Sequence, residues 1–172
     1  TKIPNRYLFN DRLSHALNKA RRNLHKLAVL FLDLDGFKQV NDNFGHDAGD
    51  EVLICVAERM TQLFRRTDSI ARFGGDEFAV LLEEANQLEV IEMLANRLIE
   101  AINQPIQLSS GHLAQIGVSL GIALYPLDGT TAEGLLKHAD LAMYKAKEQG
   151  KNNYQFLRDQ QELQHYQELH CH

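Results

Sequence analysis

The chain's 172 residues are enough for one domain with a hydrophobic core, and its 44% hydrophobic and 24% charged residues are typical of an ordinary globular protein. The net charge of −5 disfavours broad electrostatic binding, so we expect no nucleic-acid partner. No apolar run could span a bilayer and the two cysteines imply no disulfide framework, so we expect a cytoplasmic domain without membrane contact; whether the parent protein is membrane-anchored stays open.

The first half of the chain predicts three helices and one buried strand. Apolar residues recur on one face over residues 5–23, which predicts an amphipathic helix. The continuous apolar run over residues 27–32 predicts a central strand that is buried on both faces. A short helix is expected after Gly36, ending near residues 44–45, and a long helix is expected over about residues 47–64.

The second half predicts a hairpin and then alternating helices and strands. Residues 69–73 and 77–82 are expected to pair across Gly74-Gly75, where positive φ costs little. The further predicted elements are a helix over 87–103, strand-like segments over 105–108 and 113–125, a helix over 131–149 and a last strand over 153–157. For a helix followed by β-α-β-β-α-β with additions, a central antiparallel sheet with helices on one face is the economical packing.

The last segment, residues 158–172, is polar and helix-prone. Its apolar face is thin, with Leu163, Tyr166 and Leu169. We therefore expect a domain over residues 1–157, followed by a helical linker into a missing neighbouring domain.

Two carboxylates, Asp33 and Asp35, close the first predicted strand. The ordinary interpretation is that both acids end the strand and accept local hydrogen bonds, and it suits Asp35 because Gly36 follows. Asp33 is harder to explain in this way, since it closes an apolar run and is expected to be partly buried. A buried carboxylate requires a cation, so Asp33 is a candidate metal ligand.

The glycine pair of the hairpin is followed by two more acids, Asp76 and Glu77. Solvated acids on a hairpin loop are the simpler interpretation. However, adjacent like charges repel one another, and a divalent cation relieves that repulsion. Gly74 and Gly75 also leave a turn without side chains, which a triphosphate can approach closely. Carboxylates that bind Mg²⁺ beside such a turn are what a nucleotide polymerase-like site requires.

Longer motifs surround these acids and carry a family resemblance. They are Gly74-Gly75-Asp76-Glu77-Phe78, residues 33–50 (DLDGFKQVNDNFGHDAGD), 119–123 (SLGIA), 139–147 (ADLAMYKAK) and 150–152 (GKN). In order and spacing, residues 1 to about 157 resemble the GGDEF domain, the catalytic domain of diguanylate cyclases. The resemblance implies a piece of a larger multidomain signalling protein. It also implies an α/β (α+β) fold with a palm-like, ferredoxin-type β-α-β-β-α-β core, whose mostly antiparallel central sheet is surrounded by helices.

The resemblance also implies a reaction. Two GTP molecules condense to cyclic di-GMP and release two pyrophosphates. Each active site is half a site, because the 3′-hydroxyl of one GTP attacks the α-phosphorus held by a second domain, so a homodimer is expected. The expected cofactor is Mg²⁺ or Mn²⁺, two per half-site, and cyclic di-GMP is expected to be both product and inhibitor.

The resemblance assigns metal and phosphate roles by motif position. Asp33, the backbone carbonyl of Leu34 and Glu77 resemble metal ligands. Asp76 is expected to assist the metal or the deprotonation of the 3′-hydroxyl. The backbone at Gly74 and Gly75 is expected to lie against the α- and β-phosphates.

Asn41 and Asp50 resemble the residues that recognise guanine. A carboxylate can accept from guanine N1–H and the 2-amino group together, whereas adenine offers neither donor. The alternative is a helix cap for Asn41 and an exposed first-turn acid for Asp50.

Lys38, Lys147 and Lys151 are candidate cations for the phosphates. Lys147 and Lys151 would share a helix face if the helix continued that far. For each lysine, the alternative is a solvated surface residue.

A separate Arg-x-x-Asp motif, Arg65 to Asp68, lies at the spacing of GGDEF domains that have an inhibitory product site. An arginine can grip phosphate and stack on guanine, while an aspartate accepts from the base edge. Arg97 resembles a further arginine of such a site. A surface ion pair is the alternative for Arg65 and Asp68.

Two other functions remain as alternatives to an active cyclase. One is a non-catalytic module that senses GTP or cyclic di-GMP and regulates a fused neighbour, although degenerate signatures would mark that class. The other is a nucleotidyl cyclase that makes a monomeric cyclic nucleotide, against which Asn41, Asp50 and the signature argue. The residues around 150–156 also resemble GGDEF units that precede a cyclic di-GMP phosphodiesterase domain.

Overall fold

The computed structural model describes residues 3–168. The helices are α1 Arg6–Asn23, α2 Phe37–Phe44, α3 His46–Leu63, α4 Leu88–Asn103, α5 Ala132–Glu148 and α6 Gln160–Gln164, and a 3₁₀ turn follows at His165–Glu168. The strands are β1 Leu27–Asp35, β2 Ser69–Gly74, β3 Glu77–Leu82, β4 Ile106–Gln107, β5 Leu113–Ala114, β6 Gly117–Tyr125 and β7 Tyr154–Phe156. Within this described range, no helix combines the length and the apolar character needed to cross a membrane.

The central sheet has five strands in the order β2-β3-β1-β6-β7. All neighbours are antiparallel except β6 and β7, which are parallel. The predicted α+β fold with a mostly antiparallel central sheet is therefore confirmed. The strand predicted over residues 113–125 divides into β5 and β6, because β5 pairs with β4 in a separate two-stranded sheet.

Helices cover both faces of the central sheet, so the prediction of helices on one face is wrong, while a sheet surrounded by helices is confirmed. Leu30 and Leu32 of β1 belong to the core that α2, α3 and α4 cover. Val29 and Phe31 belong to a second core beneath α1 and α5. A central strand that is apolar at successive positions presents two faces that both need cover.

Gly121 of β6 allows α5 to lie directly on the sheet. A Cβ at this position would collide with the backbone of Ala139, Ala142 and Met143. This close approach brings the side chains of α5 over the end of β1, where Asp33 and Asp35 lie.

Residues that follow β7 pack against the domain. Leu163 and Tyr166 are buried in the larger core, and the Tyr166 hydroxyl donates to the Ala85 carbonyl at 2.6 Å. Whether the segment continues into a neighbouring domain stays a prediction, and Leu169 lies outside the described residues.

Candidate functional site

The alternation of β-strand side chains gathers the predicted carboxylates on one face of the sheet. Leu32 and Leu34 belong to the core under α2–α4, so Asp33 between them points to the face that α5 covers. Glu77 is the direct cross-strand partner of Asp33. Two like charges in this arrangement destabilise the strand pair unless a cation compensates them.

Asp35 is held by hydrogen bonds from its neighbours. The Ser119 hydroxyl lies 3.0 and 2.8 Å from the two carboxylate oxygens, and the backbone N–H of Asn152 donates to Oδ2 at 3.0 Å. Asp35 is an acceptor as predicted, but its donors are not local, because the fold brings them from 84 and 117 residues away along the chain. This carboxylate ties β1 to β6 and to the turn after α5.

Asp33 differs sharply from Asp35. The Lys147 ammonium lies 2.7 Å from Asp33 Oδ2, but Asp33 Oδ1 is buried and has no hydrogen-bond partner among the described residues. Lys147 is far from Asp33 in sequence, and α5 brings it there. A buried carboxylate oxygen without a partner is costly, so the site can accept a further donor or cation.

The glycine turn places Asp76 beside the end of β1. Gly74 and Gly75 adopt φ of 146° and 45°, which side chains disfavour. The Arg72 Nε donates to the Gly75 carbonyl at 3.0 Å, and the Leu34 amide donates to the Asp76 carbonyl at 3.1 Å. These bonds fix the turn against Leu34, whose carbonyl stays a predicted metal ligand.

Burial and the charge of Asp33 raise the pKa values of the acids around it. Burial, followed by the charge and hydrogen bonding of Asp33, raises the pKa of Asp76 to about 6. Burial, and then the charges of Asp33 and Asp140, raises the pKa of Glu77. Burial alone would lower the pKa of Lys147, but its hydrogen bond with Asp33 and the nearby acidic charges raise it. The site therefore carries more negative charge than Lys147 compensates.

These residues fit a divalent cation that shares its ligands with a substrate. Within residues 3–168, no group of three or more histidine, cysteine or acidic side chains forms a ready metal cage. Mg²⁺ commonly binds through one or two carboxylates together with substrate phosphates. The unpartnered Asp33 oxygen opposite Glu77 meets that requirement.

The predicted guanine-recognition residues lie on the other side of β1. Asn41 is half-buried on α2, and Asp50 is exposed on α3. Lys38 is exposed in the first turn of α2. Because α5 ends at Glu148 and Lys151 has a φ of 65°, Lys147 and Lys151 do not share a helix face.

The predicted inhibitory residues lie together, away from the glycine turn. Arg65, Asp68 and Arg97 line one groove with a cavity of about 530 Å³. The Asp68 side chain is only 2% exposed, accepts from the Arg65 amide at 3.2 Å, and lies 3.7 Å from Arg65 Nε. Asp68 Oδ1 is buried and accepts no hydrogen bond of good geometry. Burial raises the pKa of this carboxyl, although the nearby backbone N–H groups of Arg65 and Glu83 act to lower it.

Sequence reasoning missed several residues that shape the acidic site. Asp140 raises the pKa of Glu77, and Arg6 lowers it. Both residues line a cavity of about 750 Å³ beside Glu77. Asp140 precedes Lys147 by two helical turns, so its spacing was a usable signal. Ser119 and Asn152 lie within the motifs that carry the family resemblance, but only the fold shows that they hold Asp35.

Comparisons with known proteins point to one family. The family model described as "Diguanylate cyclase, GGDEF domain" matches residues 1–153. The chain is 53% identical over 157 residues to the bifunctional diguanylate cyclase/cyclic di-GMP phosphodiesterase MucR of Pseudomonas aeruginosa, covering 91% of this chain and 23% of MucR.

Two solved structures are similar throughout the fold. The crystal structure of the GGDEF domain of PA1120 (YfiN or TpbB) from Pseudomonas aeruginosa gives a TM-score of 0.89 at 42% identity, covering 92% of this chain and 98% of that one. The GGDEF domain of DgcB from Caulobacter crescentus, in complex with c-di-GMP, gives 0.84 at 27% identity, covering 91% and 92%.

The chain spans about a quarter to two fifths of the length of the first curated relatives that it matches. These relatives are larger multidomain proteins, whereas the family match covers nearly all of this sequence. The chain belongs to the GGDEF domain family of diguanylate cyclases.

Proposed function

We propose that this chain is a catalytically active diguanylate cyclase domain, which condenses two GTP into cyclic di-GMP and releases two pyrophosphates. The observation that carries the proposal is the buried, unpartnered Oδ1 of Asp33, directly across the sheet from Glu77 of an intact signature. A domain kept only for its fold has no need of a buried carboxylate oxygen without a donor directly opposite a second acid.

Asp33, Glu77, Asp76 and the Leu34 carbonyl would hold Mg²⁺ or Mn²⁺, two ions per half-site. Bound metal neutralises triphosphate charge and lowers the pKa of the attacking hydroxyl. The glycine turn leaves its backbone open to the α- and β-phosphates, as two positive-φ residues without side chains permit.

The lysines supply charge for the phosphates. Lys147, whose ammonium lies between Asp33 and Asp35 at 2.7 and 3.9 Å, is placed to contact a phosphate on those carboxylates. Lys38 and Lys151 are exposed and can approach the outer phosphates. Each cation would stabilise the negative charge that builds up on the pyrophosphate as it leaves.

Asn41 and Asp50 select the base. The exposed carboxylate of Asp50 accepts from guanine N1–H and the 2-amino group, and the Asn41 amide contacts the same base. The 3′-hydroxyl must come from GTP held by a partner copy of the domain, because one half-site holds one nucleotide. A homodimer is therefore the catalytic unit.

The test of this function is incubation of the purified domain with GTP and Mg²⁺, with product identified by chromatography and mass. We expect cyclic di-GMP, and a specific activity that rises with protein concentration or with a fused dimerisation module. GTP or cyclic di-GMP binding without turnover would instead identify the sensing module. A rate per molecule that stays flat on dilution of a monomer would contradict the two-domain site.

We further propose that cyclic di-GMP inhibits the enzyme from the groove of Arg65, Asp68 and Arg97. The shared groove and the unpartnered Asp68 oxygen support this assignment. The relative DgcB was solved in complex with c-di-GMP. Product binding there would inhibit if it favoured a non-productive arrangement of the two domains.

Calorimetric titration of cyclic di-GMP tests the inhibitory groove. Arg65→Ala should weaken binding about tenfold or more, because a charge-assisted contact is lost, and should keep or raise activity. Arg66→Ala is the matched control, since Arg66 is exposed but does not line this groove. Equal affinity of wild type and Arg65→Ala for cyclic di-GMP would mean that Arg65 and Asp68 form only a surface ion pair.

A further inference from the structure

Gly49 occupies a position in α3 that its backbone does not explain. It lies four residues into the helix His46–Leu63 and is buried, and it has no left-handed φ that would require glycine. Glycine is a poor helix former, so alanine would serve this position better if only the helix mattered.

The contact that excludes a side chain at Gly49 is with α2. A Cβ on Gly49 would overlap Oδ1 of Asn41 and would lie 3.0 Å from its Cγ and 3.3 Å from Cζ of Phe37. The Asn41 amide occupies the space that a side chain at position 49 would fill. Asp50 is the next residue along α3, so this contact places the amide close to the Asp50 backbone.

We infer that Gly49 is a positioning residue for base recognition, which seats the Asn41 amide against α3 next to Asp50. The inference rests on the proposed function, because it assumes that Asn41 and Asp50 contact guanine. A side-chain amide on an exposed helix surface samples several rotamers, whereas an amide packed against a glycine is restricted. Gly49 thus acts on the nucleotide through Asn41 and does not touch it.

A methyl group at position 49 would occupy the space that the Asn41 amide fills. In Gly49→Ala the Asn41 amide must move away from α3, while Asp50 keeps its carboxylate. Recognition of guanine by two residues should then fall to recognition by one. The added alanine favours the helix, so a loss of affinity would not be a simple loss of folding.

A double-mutant cycle tests this coupling. The probes are the α,β-methylene analogues of GTP and ATP with Mg²⁺, titrated by calorimetry into wild type, Gly49→Ala, Asn41→Ala and the double variant. We expect Gly49→Ala to weaken the GTP analogue about tenfold and to change the ATP analogue little. In the Asn41→Ala background, Gly49→Ala should have no further effect on affinity.

Thermal unfolding of the same four proteins tests the contact between residue 49 and the Asn41 side chain in the absence of nucleotide. Because the clash partner is absent, Gly49→Ala should raise the unfolding midpoint more in the Asn41→Ala background than in the wild-type background. This comparison still decides the case if Gly49→Ala alone folds poorly. Equal shifts in the two backgrounds would mean that Gly49 and Asn41 are not coupled, and would overturn the inference.

The outcomes separate the inference from the proposed function. If Asn41→Ala weakens the GTP analogue but Gly49→Ala does not, the guanine site stands and Gly49 is not its positioning residue. If Gly49→Ala weakens binding equally with and without Asn41, the methyl acts by another route and the inference fails. If neither Asn41→Ala nor Asp50→Ala changes GTP affinity, the guanine assignment itself is wrong.

Discussion

The central sheet has an aspartate with little solvent exposure at each end, and the two differ in how completely their carboxylates are hydrogen-bonded. At the glycine-turn end, Asp33 pairs with the Lys147 ammonium and lies close enough to Asp76 for the two carboxyl groups to share a hydrogen bond, while its buried Oδ1 has no donor among the described residues. At the other end, Asp128 is only 3% exposed, accepts from the Leu124 amide at 2.8 Å, and pairs with Arg158 Nε at 2.9 Å. The segment after β7 supplies that arginine, so it completes the hydrogen bonding at this end.

This difference separates a binding site from a stabilising contact. Buried polar groups in folded proteins are nearly always satisfied, and the exceptions call for a cause. Among the described residues, the buried side-chain atoms without partners are Asn10 Oδ1, Asp33 Oδ1 and Asp68 Oδ1. Asp33 lies at the proposed metal site, and Asp68 lies in the proposed inhibitory groove. Two of these three oxygens therefore lie at sites that the sequence motifs indicated, and the third belongs to Asn10, which lines the cavity beside Glu77.

The largest expected effect is at Asp33. Asp33→Asn should reduce cyclic di-GMP formation about a thousandfold, equivalent to about 4 kcal/mol of barrier, because a neutral amide cannot hold the metal. The free energy of unfolding should change by no more than about 1 kcal/mol, since the lost Lys147 pair is offset by relief of repulsion. Asp42→Asn, on the exposed side of α2, is the matched control. Near-full turnover by folded Asp33→Asn would remove this residue from catalysis.

The second effect is at Asp128 and concerns stability. Asp128→Ala should lower the free energy of unfolding in urea by about 3 kcal/mol, because Arg158 loses its buried partner and the Leu124 amide loses its acceptor. Activity per folded molecule should stay unchanged. A comparable loss of activity in soluble, folded Asp128→Ala would mean that the two ends of the sheet are not independent.

The third effect concerns the packing of the segment after β7, in which the Tyr166 hydroxyl donates to the Ala85 carbonyl. Tyr166→Phe should cost about 1 kcal/mol in the same urea experiment, because the Ala85 carbonyl loses the donor that lies 2.6 Å away. Tyr144→Phe is the matched control, since Tyr144 is 57% exposed. Equal stability of Tyr166→Phe and wild type would show that this hydroxyl contributes nothing at that end.

Much of this comparison could be predicted from the sequence, although not all of it. The sequence around β1 indicated Asp33 as the unusual acid, because it closes an apolar run, and Asp35 as the ordinary one, because Gly36 follows it. The partnership of Lys147 with Asp33 could not be predicted, since it depends on how closely Gly121 lets α5 approach the sheet. The packing of Tyr166 was missed because a thin apolar face on a polar helix gives no sign of its partner.

The smallest expected effect is a pH dependence at Asp68, the other unsatisfied acid. Burial raises the pKa of this carboxyl in the folded protein. As pH rises above about 4, the unfolded chain therefore ionises first, and the folded state loses stability until its own Asp68 carboxyl has ionised. Asp68→Asn does not titrate and its amide oxygen can still accept from the Arg65 backbone, so its stability relative to wild type should increase with pH.

Arg65 provides the matched test for the same carboxyl. Its charge lowers the pKa of Asp68, so Arg65→Gln should raise that pKa further and steepen the loss of stability with rising pH. The measurement is urea unfolding of wild type, Asp68→Asn and Arg65→Gln at several pH values. A constant difference between Asp68→Asn and wild type across that range would mean that Asp68 ionises equally in both states. In that case the buried Asp68 carboxylate would be no more costly to ionise than one whose hydrogen bonds are complete, such as that of Asp128.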